Sequence, residues 1–342
     1  MAGKMGPNNP CGLSCRSALH SVLTMALRNT VTFYLPLAMR RRAEAGEHNF
    51  IARLSEVLTQ AGYSVAFDDD DQIARFRAMV HPGRGIFLME PPVNQRTLTM
   101  RRTYIYPFWH LEAGAERWDW PVAQASFAPD PAEAAEAVRF FGFWQRRLFG
   151  DAPLRARKDG FVLVPLQSQL LLRRSFQQAS PIDMLRAVLA HDPHRDVIAT
   201  LHPKEEYSEG ELQALSELAQ THEKLFIQPG GNVGLLQACD YVVTQNSGTG
   251  FKGYFFNKPL ILFAKADFHH IALNVAALGE KAAFARIAEH TPDYAAYLYW
   301  FLQRQAINAG RPDTHDQIRK VLQRHGWIAK AKEAPVGTPL SR

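Results

Sequence analysis

The stretch that decides the fold runs Tyr241-Val242-Val243-Thr244-Gln245-Asn246-Ser247-Gly248-Thr249-Gly250, an apolar strand followed at once by a turn rich in glycine and hydroxyl groups. A second strand end of this kind lies upstream at Leu201-His202-Pro203-Lys204. Because the carboxyl ends of parallel strands meet at one edge of a sheet, we expect both segments at the same edge. This layout predicts a nucleotide-binding half-domain of the α/β class.

Strands and helices alternate along the rest of the chain. In the second half, strands are expected at 161–167, 196–200, 225–227, 241–244 and 259–263, with helices between them. The first of these is a continuous apolar run, which is typical of a strand buried on both faces. In the first half, strands are expected at 30–36, 63–67 and 85–89. The alternation favours an α/β fold with parallel sheets.

The predicted domain limits follow changes in composition. Residues 1–28 are expected to be a disordered leader, or upstream sequence before a true start at Met25. An N-terminal α/β domain covers 29–150, a C-terminal nucleotide-binding α/β domain covers 155–282, and helices cover 283–330. The polar, strandless segment 150–160 separates the two domains. Residues 93–128 are rich in aromatic side chains and yield no assignment.

Charge and composition narrow the class of partner. The chain has 39 Lys and Arg against 33 Asp and Glu, a net charge of +6, in short basic clusters such as Arg40-Arg41-Arg42 and Arg146-Arg147. Each cluster alone is most simply a solvated surface, and together they suit anionic ligands or a phospholipid face. No nucleic-acid module and no apolar run of about 18 residues is present. Three cysteines are too few for a disulfide framework, which fits a reducing cytoplasm.

His202 and Lys204 are the first candidate binding residues. Pro203 restricts His202 to extended backbone angles, so the strand must end there. The imidazole then lies at a strand tip, where it can donate to a phosphate or a sugar hydroxyl, and Lys204 adds positive charge. Taken alone, a His-Pro pair is more typical of a histidine that caps a loop.

The turn after the strand at 241–244 supplies the other binding candidates, Asn246, Ser247, Gly248 and Thr249. Glycine lets the backbone approach a ligand closely, and the first amides of the helix that follows attract anions. The two hydroxyls can donate to the same phosphate. The simpler interpretation is that Ser247 only caps the helix. The turn is neither a GxGxxG fingerprint nor a Walker A loop.

Four segments closely resemble the capsule polysaccharide biosynthesis family, which includes the β-Kdo transferases that prime capsule chains: 162–167, 201–205, 243–251 and 257–260. The resemblance covers about residues 160–275. It implies a GT-B-like fold, with two Rossmann-like domains, an acceptor-side N-terminal domain and an interdomain cleft. The sequence departs from many GT-B enzymes at Lys252-Gly253, where those carry a glutamate.

The same motifs are also similar to those of bacterial sialyltransferases, where they hold the CMP part of the donor. This resemblance implies that His202 and Lys204 contact the phosphate or ribose, and that Ser247 and Thr249 contact the phosphate. No separate cofactor is expected, because the nucleotide sugar is itself a substrate, and no His/Cys cluster has the spacing of a metal site.

Glycosyl transfer also needs a base or a nucleophile. The candidate catalytic residues are Glu90, Asp119 and Glu112. Glu90 ends a predicted strand just before the rigid pair Pro91-Pro92. Glu112 and Asp119 lie in the aromatic segment, where ring faces can pack on the C–H surface of a pyranose. Most of these aromatics are more simply explained as core residues.

The sequence therefore predicts a cytoplasmic glycosyltransferase for capsule or surface polysaccharide, with CMP-Kdo as one candidate donor. Its expected partners are a nucleotide-sugar donor, a glycan or glycolipid acceptor and the inner membrane as a peripheral contact, but no nucleic acid. Two alternatives stay open. One is a teichoic-acid-type CDP-alcohol phosphotransferase, and the other is a non-catalytic polysaccharide assembly or export protein.

Overall fold

The structure is a computed structural model that describes residues 27–329. It divides into two compact units, which we call unit 1 (residues 27–115 and 307–329) and unit 2 (residues 116–306). The leader predicted at 1–28 lies outside the described residues, apart from its last two positions. Within residues 27–329, no helix combines the length and apolarity that a membrane span requires.

Unit 1 begins with a βααβαβ segment followed by two more strands. The elements are β1 (Thr30–Leu35), α1 (Leu37–Glu44), α2 (Asn49–Gln60), β2 (Ser64–Asp69), α3 (Gln72–Val80), β3 (Arg84–Leu88), β4 (Thr97–Arg102) and β5 (Phe108–Glu112). Strands β2, β1, β3 and β4 are parallel neighbours in that order, and β5 runs antiparallel to β4.

Unit 2 contains the helices and strands of the second predicted domain. They are α4 (Pro121–Gln124), α5 (Ala134–Phe149), β6 (Phe161–Pro165), α6 (Pro181–His191), β7 (Asp196–Leu201), α7 (Glu209–Thr221), β8 (Leu225–Pro229), α8 (Val233–Ala238), β9 (Tyr241–Thr244), α9 (Gly248–Gly253), β10 (Leu260–Leu262), β11 (Leu273–Asn274), α10 (Val275–Leu278), α11 (Glu280–Arg286) and α12 (Tyr294–Leu298). A single 3₁₀ turn, Arg117–Asp119, precedes α4, and a π-helical turn, Tyr299–Arg304, follows α12.

The sheet of unit 2 is wholly parallel, with the order β11-β10-β9-β6-β7-β8. Numbered along the chain, its strands stand in the order 6-5-4-1-2-3, which is that of a doubly wound nucleotide-binding sheet. The strand order reverses between β6 and β9. In such sheets ligands bind beyond the carboxyl ends of the strands at this point.

The chain then returns to unit 1 with β12 (Ile307–Asn308) and α13 (Thr314–Arg324). Strand β12 pairs antiparallel with β5 and extends the unit 1 sheet. Helix α13 buries Ile318 and Leu322 in the same core as Leu54 and Leu58 of α2. Residues 307–329 therefore complete the core of unit 1.

The predicted fold class is confirmed: the protein is α/β, with a mainly parallel, Rossmann-like sheet in each unit. Strand β6 is buried along its whole length, as its apolar run indicated. The strands β4 and β5 occupy the segment that yielded no assignment. Strand β5 is fully buried although it contains His110 and Glu112. Because these two residues are polar, the segment lacks the apolar pattern from which a buried strand is predicted.

The boundaries of the two units differ from those of the two domains predicted from the sequence. Helix α5, which we assigned to the N-terminal domain, belongs to unit 2, where Gln145 Nε2 donates to the Phe255 carbonyl (2.6 Å) and Phe140 packs on Tyr299. The segment 150–160 is also tied to unit 2, because the Arg157 amide donates to the Gln237 carbonyl. The polar composition of that segment reflects an exposed loop within unit 2.

Candidate functional site

A narrow cleft lies where the strand order of unit 2 reverses. We call it the switch-point cleft. It encloses about 40 Å³, which suits a group of phosphate size rather than a whole nucleotide. Its lining comes from the ends of β6, β7, β8 and β9: Leu163, Pro165, Leu166, Thr200, Leu201, His202, Pro203, Gly230, Gly231, Asn232, Leu235, Ser247 and Thr249. The two strand ends singled out in the sequence therefore meet in one cleft.

His202 is exposed, immediately after β7, and its ring is oriented by the backbone. Its Nδ1 accepts a hydrogen bond from the Lys204 amide (3.3 Å), and its own amide donates to Tyr207 Oη (2.8 Å). Because Nδ1 is an acceptor, the neutral ring carries its proton on Nε2. His202 can therefore offer an N–H donor to a ligand in the cleft.

Ser247 and Thr249 also line the cleft. Ser247 is nearly buried and is the N-cap of α9, where its Oγ accepts from the Thr249 amide (3.2 Å). This bond uses the oxygen as an acceptor and leaves the hydroxyl proton available to a ligand. The capping role and the proposed ligand role of Ser247 are thus compatible.

The other predicted binding residues are near the cleft without lining it. Asn246 donates through Nδ2 to the Lys265 carbonyl (3.1 Å) and so ties the end of β9 to the segment after β10. Gly248 opens α9, and Lys204 is exposed after the His-Pro pair. Their contact with a ligand stays a prediction.

Ten of the thirteen lining residues, with Gly230 and Asn232 among them, were not predicted as site residues from the sequence. Gly230 and Asn232 follow β8, and the Gly230 amide donates to the Leu201 carbonyl (2.8 Å). The signal was present, since Pro229-Gly230-Gly231-Asn232 is a third strand end with turn residues. This strand end has no charged or hydroxyl side chain, so its residue types do not indicate a phosphate site.

A larger cavity, of about 310 Å³, lies in the same unit beyond the carboxyl end of β10, and we call it the β10 cavity. Its size is that of a small-molecule site. It is lined by Trp118, Asp119, Gln124, Leu262, Ala264, Lys265, Ala266, His269, Asn274, Ala276 and Ala277. Asp119, a predicted catalytic residue, is exposed on this lining. Since β9 and β10 are adjacent strands, this cavity is on the same sheet edge as the switch-point cleft.

Several polar atoms in the loops that follow the strands of unit 2 are buried without a hydrogen-bond partner among the described residues. They are Gln167 Oε1, Gln177 Nε2, Gln245 Oε1 and the Nε and Nη2 atoms of Arg174. Gln177 and Gln245 are each only 1% exposed. Buried polar groups are normally paired, so this pattern favours a polar ligand at that edge. Burial also lowers the pKa of Arg174, although the negative charge of the nearby Glu205 carboxylate acts in the opposite direction.

The adjacent histidines after β10 stack on each other, with ring centroids 4.3 Å apart, but have different hydrogen-bond partners. His269 lines the β10 cavity, and its Nδ1 is 2.7 Å from the Ala266 carbonyl. His270 is bonded instead to Tyr297 Oη (3.0 Å) and to the Ala125 carbonyl (3.1 Å). Burial lowers the pKa of His270 to about 4, so this ring is neutral and structural.

The remaining two predicted catalytic carboxylates lie in unit 1. Glu90 is exposed just after β3, at the carboxyl edge of the parallel strands. Glu112 ends the antiparallel strand β5, where it pairs with Thr99 near the start of β4. Glu112 therefore lies toward the amino edge of the parallel strands, away from the edge at which Glu90 follows β3.

Glu112 is also enclosed by basic side chains. Arg324 Nη2 donates to Oε1 (2.7 Å), His110 Nδ1 is 3.9 Å from the same oxygen, and His325 Nε2 is 3.8 Å from Oε2. Burial raises the pKa of Glu112 to about 7, although the Arg324 guanidinium opposes this shift. These contacts describe a buried ion pair of the unit 1 core better than a group that meets a substrate.

The acidic run Asp68-Asp69-Asp70-Asp71 has local structural partners. Asp68 pairs with Arg77 (2.8 Å), Asp69 with Arg40 (3.0 Å), and Asp71 caps α3 by accepting from the Ala74 amide (2.7 Å). Across the described part of the chain, no three His, Cys, Asp or Glu side chains are grouped so as to hold a metal ion. The run is thus a set of caps and surface ion pairs.

Comparison with known families gives a match over just over half of the chain. A family model described as capsule polysaccharide biosynthesis protein matches residues 134–310, a range that includes most of unit 2, the switch-point cleft and most of the β10 cavity lining. No curated protein sequence matches the chain.

Solved structures show distant similarity. The β-Kdo 2,7-transferase KpsC of Thermosulfurimonas dismutans shares 12% identity at a TM-score of 0.45, with 79% of this chain and 89% of that chain covered. The β-Kdo 2,4-transferase of the same KpsC has 13% identity at the same TM-score and coverage. MnaA of S. aureus, in a co-structure with UDP, has 9% identity and a TM-score of 0.34, over 89% of this chain and 99% of that chain.

Proposed function

Because the chain belongs to the capsule polysaccharide biosynthesis family, we propose that it is a glycosyltransferase that uses a nucleotide-activated sugar to build capsule or surface polysaccharide. One observation carries this proposal: His202, Ser247 and Thr249 line a single cleft at the strand-order reversal of a doubly wound sheet. That is the position at which such sheets bind nucleotides. A phosphate of the donor would occupy the switch-point cleft.

The chemistry of the cleft supports a phosphate there. His202 Nε2–H and the hydroxyls of Ser247 and Thr249 are donors, whereas a phosphate presents only acceptors. Hydrogen bonds to a charged partner contribute about 1.5–3 kcal/mol each. As the glycosidic C–O bond breaks, negative charge grows on the phosphate, so the same donors would stabilise the leaving nucleotide.

Asp119 is the catalytic carboxylate we propose, because it lines the β10 cavity one strand away from the cleft. Its negative charge would stabilise the positive charge that develops on the donor sugar ring. Glu90 is a second proposed contributor, since it follows β3 at the carboxyl edge of the unit 1 sheet. Glu112 is no longer part of the proposal, because its carboxylate is enclosed by Arg324, His110 and His325.

Calorimetry with CMP, CDP and UDP tests the proposal. We expect at least one of them to bind, and we expect His202→Ala to weaken that binding tenfold or more, because one hydrogen bond to phosphate is lost. His194→Ala is the matched control, since His194 is an exposed histidine at the other end of β7. Absence of binding by all three nucleotides, or equal affinity in the His202 variant, would refute the donor site.

The nucleotide that binds also separates the finer alternatives. CMP-Kdo stays a candidate donor and predicts a preference for CMP. A CDP-alcohol phosphotransferase would prefer CDP and form phosphodiester products, which product analysis distinguishes from glycosides. A non-catalytic assembly protein would release no nucleotide from any of the donors.

The peripheral contact with a membrane is also a proposal, and helix α5 supports it. Val138 and Phe143 are 63% and 57% exposed on this helix, and Leu154, just beyond it, is 73% exposed. The exposed side chains Arg139, Arg146 and Arg147 accompany them, and no ion pair in residues 27–329 involves these three arginines. A helix face that mixes apolar and unpaired basic residues suits an anionic lipid surface.

A further inference from the structure

The β10 cavity is lined by polar groups of both kinds: Asp119 and the amide oxygens of Gln124 and Asn274 accept hydrogen bonds, and Lys265 donates them. Gln124 Nε2 donates to the Trp118 carbonyl (2.8 Å), and Asn274 Nδ2 donates to the carbonyls of His269 (3.1 Å) and Ala272 (3.3 Å). Both N–H groups of the Asn274 amide are used in this way and Gln124 keeps one, while both amide oxygens are available to a ligand. Asp119 adds a carboxylate, which accepts only. The cavity therefore suits a ligand with several hydroxyl groups, each of which can both donate and accept a hydrogen bond.

This chemistry is complementary to that of the switch-point cleft. The cleft presents donors and fits a phosphate, whereas the β10 cavity combines the Asp119 carboxylate and two amide oxygens with the cation of Lys265. An aromatic ring completes the cavity: Trp118 is stacked on Phe176 with ring centroids 4.7 Å apart, which fixes its orientation. A fixed ring beside several acceptors suits the C–H face and the hydroxyl groups of a pyranose.

His269 adds a group that can take a proton. Its Nδ1 is 2.7 Å from the Ala266 carbonyl, so this nitrogen carries the hydrogen. In the neutral ring Nε2 then holds the lone pair, and its tautomer is set by the backbone. An imidazole whose Nδ1–H is held by the backbone, on the wall of a sugar-sized cavity, can use Nε2 for general base catalysis.

We propose that the β10 cavity binds the acceptor sugar as a pyranose and that His269 Nε2 is the general base of the transfer. The inference rests on the proposed glycosyltransferase function. In the step, the acceptor hydroxyl loses its proton to Nε2 while its oxygen forms the new bond to the anomeric carbon. The bond from that carbon to the phosphate oxygen breaks, and its electron pair leaves with the nucleotide.

The separation of the two sites agrees with this step. Asn246 Nδ2 donates to the Lys265 carbonyl, which links the turn after β9 to the wall of the β10 cavity. Neighbouring strands of a sheet are about 4.8 Å apart. The switch-point cleft is bounded on one side by the turn after β9, and the β10 cavity lies beyond the next strand, so the two sites are neighbours at one edge of the sheet. Lys265 lines the cavity and can place positive charge beside the leaving phosphate.

Saturation-transfer NMR tests the sugar site directly. The probes are the methyl pyranosides of glucose, galactose, N-acetylglucosamine and glucuronic acid, each with the nucleotide that binds best. We expect at least one pyranoside to bind the wild type, Trp118→Ala to abolish that binding, and His202→Ala to preserve pyranoside binding while weakening the nucleotide. If the nucleotide binds and no pyranoside does, the sugar site is refuted and the donor site stands.

A second experiment tests the base. In His269→Asn the side-chain amide can still donate to the Ala266 carbonyl, so the loop keeps its bond while the basic nitrogen is lost. We expect transfer to the bound pyranoside to fall by about 10²–10⁴ in kcat, with little change in KM or nucleotide affinity. The matched control is His290→Gln, because His290 Nε2 contacts the Ile271 carbonyl (2.8 Å) outside the cavity and the new amide can keep that contact.

Failure of the His269 base assignment and failure of the proposed function give different experimental results. A His269→Asn enzyme that keeps its wild-type rate would overturn the base assignment. In the wild type, ¹⁵N NMR of the imidazole gives an independent readout: the Nε2 resonance of His269, but not that of His290, should shift when the pyranoside binds. If no nucleotide binds at all, the proposed function itself falls.

Discussion

Glu112 shows how one buried residue makes stability depend on pH. Burial raises its pKa to about 7 in the folded protein, whereas an unfolded glutamate titrates near 4.5. Between these values the unfolded chain holds fewer protons, so the stability of unit 1 should fall as the pH rises from about 4.5 to about 7. The full effect is about 3 kcal/mol.

Glu112→Gln isolates this effect, because glutamine cannot ionise but has nearly the same shape. Urea denaturation at pH 5 and pH 8 should show the wild type losing stability relative to the variant at the higher pH. Arg324 is partly exposed and can be solvated without its partner. An identical change with pH in both proteins would show that Arg324, His110 and His325 compensate the Glu112 charge fully.

For single residues, the sequence predicts the chemical character of a candidate site residue better than it predicts the place of that residue in the fold. His202, Ser247 and Thr249 are drawn to one cleft because each directly follows an apolar strand of a parallel sheet. Glu112 is a carboxylate in the same aromatic-rich segment as Asp119, yet it ends an antiparallel strand. Strand direction depends on pairing between distant segments, which a local pattern does not contain.

At the scale of elements, the turn after β8 is held by a glycine that has no room for a side chain. A Cβ on Gly230 would lie 2.9 Å from the carbonyl oxygen of Leu201, and Leu201 directly precedes His202. We expect Gly230→Ala to displace the end of β7, to lower stability by about 1–3 kcal/mol and to weaken nucleotide binding. Thermal denaturation and calorimetry measure the two effects.

Gly210→Ala serves as the control for this substitution. Gly210 lies in the first turn of α7, and a Cβ there would meet nothing within 4 Å. Alanine favours helix by up to about 1 kcal/mol, so this variant should be as stable as the wild type or more stable, with unchanged nucleotide affinity. Unaltered binding in Gly230→Ala would show that the β8 turn does not position His202.

The elements that the sequence predicted share one property. Strands β6 to β10 are short apolar runs, and proline, glycine or charged residues bound them, so local composition defines each of them. Strand β4 buries Thr97 and Thr99 and strand β5 buries His110 and Glu112. Burial of Glu112 depends on a distant partner, Arg324, which is more than 200 residues away. Local periodicity cannot report such partners.

At the scale of the whole molecule, the division into units was the least predictable feature. Residues 307–329 return to the unit 1 core, where Ile318 and Leu322 pack with α2, and helix α5 packs within unit 2. Both assignments follow from which apolar faces meet. Composition along the chain marks exposed loops, and an exposed loop can lie inside a unit as well as between two units.

The surface of α5 gives the prediction that belongs to this scale. The segment 134–158 contains six Lys or Arg and two Asp or Glu, and Phe143 is exposed among the arginines. We expect the protein to float with vesicles of phosphatidylcholine and phosphatidylglycerol, but not with phosphatidylcholine alone, and to be released by high salt. The Arg146→Glu, Arg147→Glu double variant should bind at least about tenfold more weakly, because each basic residue contributes about 1 kcal/mol.

A matched surface change keeps this prediction falsifiable. Arg41 and Arg42 form an equally exposed pair on α1 in unit 1, so Arg41→Glu, Arg42→Glu alters the net charge by the same amount. If binding depends on the α5 face, this control should bind nearly as well as the wild type, and Phe143→Ser should weaken binding without any change in charge. Equal losses in the two double variants would mean that net charge alone attracts the protein to lipid, and α5 would then have no special role in a membrane contact.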